Sequence, residues 1–278
     1  MEFVLRIIFL IAGLVWISFT NNENLKYVLI GLVFSIIIEI VRKIIVFIKE
    51  CGANFRSIIL SITLYRKRKI RLSCSYLYKI KYEDKYLLVK NSHRESYQPV
   101  GGVYKRTEES TNFLNSISFN EDEKLTNGKS CNNDLRIHIK GKYLKKFLNW
   151  YNKNTDREIS HTREFVEELI SPGILTFENF PYPDYAFKRR IPTPLKWSKH
   201  FQCHELLIYD ILELKTNPLQ EEEFKKLYEN GETDYIKWAD AATIRGKGYN
   251  EGNRNSKFEI GDHTLLLIDL EYSKKYML

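Results

Sequence analysis

Residues 163–169 read Arg-Glu-Phe-Val-Glu-Glu-Leu, and the interpretation of the whole chain starts from this stretch. On a helix, Glu164, Glu167 and Glu168 fall at positions i, i+3 and i+4, so their carboxylates share one face. Like charges at this spacing repel each other, which a purely structural helix normally avoids. Carboxylate oxygens are natural ligands of Mg2+, which would relieve the repulsion. The pattern predicts a metal-binding helix, although similar patterns are common on solvated helix faces.

Patterns typical of strands and helices surround this stretch without regular alternation. Period-two patterns and short apolar runs predict strands over residues 73–81, 85–90, 135–139, 203–214 and 234–238. Apolar residues at helical spacing predict helices over residues 142–153, 158–170, 221–229 and 239–244. The first two strands are predicted to form a hairpin with a turn at Glu83 and Asp84. The mixture predicts an α+β domain with α/β/α layers and a mixed sheet.

Two other stretches predict loops. Residues 103–134 are rich in Thr, Asn, Ser and acidic side chains and predict an irregular surface insertion. Four prolines between residues 180 and 195 predict an ordered loop that presents Lys188, Arg189 and Arg190. Basic groups of this kind suit a phosphorylated ligand.

The first 50 residues are strongly apolar. Residues 3–20 contain only Arg6 as a charged residue, and a second apolar run begins at Tyr27 and extends through residues 44–48. A bilayer is spanned by about 20 apolar residues, and the short link between the runs suits a tight turn. The pattern predicts a two-helix transmembrane hairpin over residues 1–50. A cleaved signal peptide is the alternative, but no small-residue cleavage site follows the first run.

A basic segment follows the apolar runs. Residues 51–71 carry six Arg or Lys residues and no acidic ones, within a chain of net charge +8. The positive-inside rule predicts that such a flank is cytoplasmic. Both termini are therefore predicted to lie in the cytoplasm. The predicted domains are the hairpin of residues 1–50, a juxtamembrane linker of residues 51–71 and a cytosolic domain of residues 72–278.

The composition excludes two broad classes of protein. A chain with 44% hydrophobic and 14% aromatic residues is not wholly disordered, and one with 28% charged residues is not a polytopic membrane protein. The four cysteines are widely spaced, which fits reduced thiols and gives no disulfide framework. His200, Cys203 and His204 are close in sequence, but no second ligand pair follows, so we predict no metal site there.

The central motif and its surroundings resemble a Nudix domain. Residues 163–169 look like the second half of the Nudix box, and the apolar run 86–89 followed by Gly101 and Gly102 resembles the strand and double glycine that precede it. The segment 238–244 resembles the family's C-terminal strand and helix. The resemblance covers roughly residues 72–270 and implies a Nudix-like α/β/α domain.

The first half of the box departs from the family pattern. Asn149 and Thr155 stand where Gly and Glu are usual. A hydrolase needs its metal, water and substrate held close together, so these changes put hydrolysis in doubt without excluding ligand binding. The resemblance implies that Glu164, Glu167 and Glu168 are Mg2+ ligands and candidate catalytic residues. The candidate ligand-binding residues are Arg163, Gly101, Gly102, Arg189 and Arg190.

Together with the predicted hairpin, the domain resembles the two-transmembrane Nudix effectors of CBASS, bacterial anti-phage systems in which a cyclic oligonucleotide made on infection activates a killer protein. The resemblance implies a homo-oligomeric effector of the bacterial inner membrane that binds a cyclic oligonucleotide and disrupts or perforates the lipid bilayer. No nucleic-acid polymer is expected as a partner. The alternative is a membrane-tethered, Mg2+-dependent Nudix hydrolase of a nucleoside diphosphate-linked substrate, and a third hypothesis is a passive anchor and interaction domain.

Overall fold

The computed structural model describes residues 2–92, 94–122, 133–250, 253–256 and 258–268. The chain forms two compact units, residues 1–55 and residues 56–278. The predicted division into three parts, with boundaries after residues 50 and 71, stays a prediction. Cys131, most of the predicted surface insertion after Asp122, and the C-terminal Leu278 lie outside the described residues.

The first unit is built from two helices, α1 (Glu2–Phe19) and α2 (Glu23–Cys51), followed by a 3-10 turn at Gly52–Asn54. Asn22 caps α2, because its side chain accepts a hydrogen bond from the backbone N–H of Leu25. The two helices pack closely where a Cβ at Gly13 would lie 2.8 Å from Cγ2 of Val33. Both apolar runs therefore form helices, as predicted.

The prediction of a transmembrane hairpin is wrong: among the described residues, none of the helices combines the length and the apolar character needed to cross a membrane. Helix α1 has 18 residues and rises about 27 Å, whereas a hydrocarbon core is about 30 Å thick. In α2, the uninterrupted apolar stretch runs only from Tyr27 to Ile38, between Lys26 and Glu39, and rises about 18 Å. The predicted location in the bacterial inner membrane depended on the hairpin, and it is wrong for the same reason.

The second unit combines helices and strands. Its helices are α3 (Phe55–Ile62), α4 (Ser110–Ser116), α5 (Leu144–Asn152), α6 (Thr162–Phe165), α7 (Pro218–Glu229) and α8 (Ala241–Arg245). Its strands are β1 (Lys69–Lys79), β2 (Lys81–Tyr82), β3 (Lys85–Lys90), β4 (Ser96–Gln98), β5 (Gly101–Val103), β6 (Asn120–Glu121), β7 (Arg136–Lys140), β8 (Asp184–Pro192), β9 (Lys196–Ser198), β10 (Cys203–Lys215), β11 (Ile236–Asp240), β12 (Tyr249–Asn250), β13 (Asn253–Ser256) and β14 (Glu259–Ile260). Short 3-10 turns occur at Gly141–Tyr143 and Asp262–Leu267.

The larger sheet has its described strands in the order β6-β7-β1-β10-β8, with β5 also paired to β1 and β9 to β10. Strand β1 is central and almost continuously buried, although Arg71, Ser73 and Ser75 alternate with its apolar and aromatic residues. It pairs in parallel with β10 and antiparallel with β7 and β5. The antiparallel pairing brings Gly101 opposite Leu77 and Gly102 opposite Tyr76.

A second sheet has the order β11-β3-β4-β14, with β2 paired to β3. A buried cluster joins the two sheets, with Leu77, Ile191 and Ile211 from the larger one and Leu88 and Ile260 from the smaller one. The second unit is therefore α+β with mixed sheets, the part of the predicted fold class that the structure supports.

Two local predictions are wrong. The predicted loop at residues 180–195 contains strand β8, which pairs antiparallel with β10. The predicted hairpin of residues 73–81 and 85–90 is instead the short pair β2–β3, because β1 belongs to the other sheet. Its turn is where predicted, with Glu83 at a positive φ of 47°.

Candidate functional site

The acidic helix begins as α6 and continues into a π-helical turn over Val166–Ile170. The backbone N–H of Ser171 donates to the carbonyl of Val166 at 2.8 Å, which is the wider i to i+5 spacing. Phe165 and Leu169 are fully buried and fix this helix in the core. The acidic side chains are consequently held on the opposite face, along one cleft.

The double glycine lets two of these carboxylates approach strand β5 closely. A Cβ at Gly102 would lie 1.9 Å from Oε1 of Glu164, so any side chain there would displace the carboxylate. The backbone N–H of Gly101 donates to Oε2 of Glu168 at 2.9 Å. Gly101 also has a φ of +151°, and a Cβ there would lie 2.2 Å from the carbonyl oxygen of Tyr76. The contact of strand and helix therefore requires glycine at both positions.

Arg163 ties the acidic helix to its neighbours. Its guanidinium donates to Oε1 of Glu164, to Oε1 of Glu158 at 3.2 Å and to the carbonyl of Val103 at 2.9 Å. It also lies 3.8 Å from Oε2 of Glu167. These contacts orient the glutamate carboxylates and use several of the N–H donors of the guanidinium. Arg163 is therefore a positioning residue of the site.

Burial raises the pKa of two carboxyl groups of the acidic helix, those of Glu164 and Glu168. It raises the pKa of Glu168 to about 8, opposed by the hydrogen bond from the Gly101 backbone. It also raises the pKa of Glu164, opposed by the charge of Arg163. Glu168 is therefore largely protonated at pH 7.

The predicted Mg2+ site of the three glutamates stays a prediction. Within the part of the chain that the structure describes, no group of three or more His, Cys, Asp or Glu side chains has an arrangement that could hold a metal ion. The carboxylate of Glu164 faces Arg163, that of Glu168 faces the Gly101 N–H, and the Glu167 side chain is 59% exposed. Each carboxylate therefore has different surroundings in this structure.

The acidic helix lines a cleft of about 830 Å3, here called the acidic-helix cleft. Its charged side chains are Lys90, Arg94, Lys105, Arg136 and Arg163 together with Glu95, Asp134, Glu164, Glu167 and Glu168. Several are paired across the cleft wall, with Lys105 and Arg136 at 2.6 and 3.2 Å from the carboxylate of Asp134. A negatively charged ligand can therefore replace a carboxylate as the partner of the Lys and Arg side chains in the cleft.

The predicted site residues separate into two groups. Arg163, Gly101, Gly102 and the three glutamates line the acidic-helix cleft together. Arg189 and Arg190 lie on β8 and do not line it.

Both arginines of β8 make contacts that stabilise the fold. Arg189 donates to the carbonyl of Leu266 at 2.7 Å. Arg190 forms a two-pronged ion pair with Asp210, at 2.7 Å from Nε to Oδ1 and 2.8 Å from Nη2 to Oδ2. Asp210 is only 2% exposed. These contacts favour a structural role over ligand binding.

Sequence reasoning missed much of the cleft. Lys90, Arg94, Lys105 and Arg136 come from separate strands and connections, and Tyr235 donates its hydroxyl to the carbonyl of Glu168 at 3.1 Å. The only signal along the chain is that Lys90 ends the apolar strand and Lys105 follows the double glycine by three residues. Their convergence depends on strand pairing that a single sequence does not display.

A strand with a double glycine packed on an Arg-Glu-x-x-Glu-Glu helix, in a domain of mixed sheets, defines a Nudix-type domain. Comparison with protein families agrees with this class. The family described as the SMODS-associated NUDIX domain matches residues 69–268, and the chain belongs to this family. No curated protein and no solved structure matches the chain.

Membership in this family relates the chain to the CBASS effectors that carry a nucleotide-binding Nudix domain. Nudix domains are generally metal-dependent, usually on Mg2+. In this chain the glutamates of the acidic helix face Arg163, the Gly101 N–H and solvent.

Proposed function

We propose that residues 69–268 form the sensor of a CBASS effector, which binds a cyclic oligonucleotide in the acidic-helix cleft and does not hydrolyse it. The observation that carries this proposal is the engagement of the helix carboxylates by Arg163 and the Gly101 N–H, where a hydrolase would gather them around a metal. Such a cleft holds a ligand without the means to activate water.

The size and charge of the cleft support a ligand with more than one phosphate. Its volume of about 830 Å3 lies in the upper part of the range of about 300–1,000 Å3 typical of ligand pockets. Cationic side chains reach it from β3, from β7 and from the connection that contains Arg94. Phosphate oxygens can replace carboxylates such as Asp134 and Glu95 as their partners, because both form charge-assisted hydrogen bonds with Arg and Lys.

Calorimetric titration of the full chain with cyclic di-AMP, cyclic di-GMP and cyclic tri-AMP tests the binding. We expect at least one of them to bind, and we expect Arg94→Gln and Arg136→Gln each to raise its Kd about tenfold. Lys225→Gln, an exposed charge change on α7, is the matched control and should leave the Kd unchanged.

Hydrolysis is measured on the same preparations by chromatography of ADP-ribose and of the bound cyclic nucleotide, with and without Mg2+. We expect neither to be consumed. Mg2+-dependent turnover that Glu167→Gln and Glu168→Gln abolish would contradict the proposal and establish the hydrolase. Failure of every cyclic nucleotide to bind would contradict it as well.

A further inference from the structure

A second cleft of about 590 Å3 lies in the same unit and has no lining residue in common with the acidic-helix cleft. We call it the aromatic cleft, defined by Tyr65, Arg68, Lys69, His138, Trp197 and His204. It lies at the start of β1, whereas the double glycine pairs with β1 at Tyr76 and Leu77. Seven residues of extended strand separate the two places by roughly 23 Å.

Three rings line the aromatic cleft, and those of Trp197 and His204 meet edge to face at 78°. The ring of His204 lies 3.9 Å from that of Tyr65 and 5.2 Å from that of Trp197. Trp197 and His204 are direct partners across the antiparallel pair β9–β10, which fixes their spacing. Trp197 is nevertheless 52% exposed. A half-exposed indole beside two other rings offers a flat apolar surface to a planar ligand.

Two cationic side chains line the aromatic cleft together with these rings. Arg68 and Lys69 are exposed at the end of the basic segment that the sequence placed at residues 51–71. Neither forms an ion pair with a carboxylate among the residues that the structure describes. They are therefore available to an anionic group on the ligand, and phosphate is the anion most often held in this way.

The floor of the aromatic cleft carries a buried carboxylate oxygen. Oδ1 of Asp122 is buried and has no hydrogen-bond partner among the described residues. Asp122 is only 4% exposed. The other carboxylate oxygen of Asp122 accepts from Nε of Arg71 at 2.6 Å, which holds the group in place. An unpaired buried oxygen is costly, so a ligand N–H that reaches it is favoured.

These features exclude other ligands. A purely apolar ligand would leave the buried oxygen and the two cations unsatisfied. A flat ring with N–H donors joined to a phosphate satisfies all three features together.

We propose that the aromatic cleft binds a nucleoside phosphate, with its base stacked on the exposed face of Trp197, an N–H of the base donated to Asp122, and its phosphate held by Arg68 and Lys69. The inference goes beyond the proposed function, because it concerns a separate cleft and holds whichever ligand the acidic-helix cleft binds.

The test uses the full chain and the probes GMP and AMP, with ribose 5-phosphate and inorganic phosphate as base-free controls. Stacking quenches indole fluorescence. Trp150 and Trp238 are buried, whereas Trp197 is exposed, and the fourth tryptophan, the exposed Trp16, belongs to the first unit. We expect a saturable quench with at least one nucleotide and none with the base-free controls. The quench should disappear in Trp197→Phe, while calorimetry should still detect binding by that variant, because a phenyl ring also stacks.

Calorimetry of further variants assigns the contacts. We expect Trp197→Ala to raise the Kd about tenfold, and Arg68→Gln to weaken binding and flatten its dependence on salt. Tyr182→Ala removes an exposed ring outside both clefts, and Arg66→Gln removes a nearby charge that does not line the cleft. Both controls should leave the Kd unchanged.

The outcomes separate this inference from the proposed function. Nucleotide binding that Arg94→Gln weakens and Trp197→Ala leaves unchanged would overturn the inference and leave the proposed function standing. Equal affinity for ribose 5-phosphate and GMP would also overturn it, since the base would then contribute nothing. If no nucleotide or cyclic nucleotide binds at all, both proposals fail.

Discussion

His161 lies within a chain of buried hydroxyl and carboxyl groups. Its Nε2 lies 2.7 Å from the hydroxyl of Tyr104, which donates to Oδ2 of Asp210 at 2.7 Å, and its Nδ1 lies 2.7 Å from the hydroxyl of Tyr185. Because the one proton of the Tyr104 hydroxyl points to Asp210, His161 donates from Nε2 and accepts at Nδ1. Burial lowers its pKa to about 4, so the ring is neutral at pH 7.

This neutral histidine predicts a loss of stability in mild acid. The unfolded chain takes up a proton at His161 near pH 6.5, whereas the folded chain does so only near pH 4. Between these values the unfolded state binds more protons, so stability falls as the pH drops through this window, by less than ~1.4 kcal/mol for each pH unit from this residue.

Urea unfolding at pH 7.5 and 5.5 measures the effect. Because burial also lowers the pKa of His263 to about 4, the informative quantity is the difference between variants. His161→Gln should lose less stability between the two pH values than the wild type. His200→Gln, an exposed control, should match the wild type. Equal pH dependence in all three proteins would contradict a neutral, partly buried His161.

At the scale of secondary structure, the pair Arg190–Asp210 joins strand β8 to strand β10. Arg190 also lies over the ring of Tyr151, with its Cζ 4.3 Å from the ring centroid. Loss of one partner leaves a buried charge uncompensated, so we expect Asp210→Asn to cost about 3–5 kcal/mol. Arg190→Gln should cost a similar amount.

A double-mutant cycle by urea unfolding checks this prediction. The double variant Arg190→Gln, Asp210→Asn should lose much less stability than the two single variants added together, since no unpaired charge remains. Lys188→Gln, on the same strand and paired with the exposed side of Glu213, is the control and should cost less than about 1 kcal/mol. Strict additivity of the two losses would show that the pair does not hold β8 in place.

The same strands show how far a single sequence predicts this fold. Strand β3, helix α5 and strand β10 lie where periodicity predicts them, since each carries a regular apolar pattern. Strand β8 was predicted as a loop because prolines surround it, yet Pro192 is the last residue of the strand, where a missing N–H is tolerated.

For the candidate site, the sequence predicts the acidic helix and the double glycine, because both are local motifs. It does not predict the π-helical turn at Val166–Ile170, nor the meeting of His204 with Trp197 and Tyr65. These arrangements depend on long-range pairing and on side-chain packing, and neither has a local signature.

At the scale of the molecule, the position where the second unit begins affects every experiment on an isolated domain. Residues 56–278 form one compact unit, and within it Ser57, Ile58 and Ser61 of α3 are buried. The hydroxyl of Ser57 accepts the backbone N–H of Leu195 at 3.1 Å. Gly141 contacts the same segment so closely that a Cβ there would lie 2.7 Å from the carbonyl of Ser61. Helix α3 is therefore part of the domain core.

We accordingly expect a chain of residues 56–278 to fold and a chain of residues 72–278 to be much less stable, although the sequence placed the domain boundary at residue 72. The shorter chain loses the start of β1, with the buried Ile70 and the Arg71–Asp122 ion pair, and it also loses α3. The loss of α3 alone removes the burial of Ile58 and leaves the N–H of Leu195 unpaired, together on the order of 3 kcal/mol. In thermal unfolding followed by circular dichroism, this lowers the Tm by roughly 10 °C.

Ile58→Ala in the full chain should lower the Tm of the same transition, and Ile159→Ala, which truncates a side chain that is 62% exposed, should not. Equal Tm values for the two truncated chains would place the boundary at residue 72 and reduce α3 to a connecting segment.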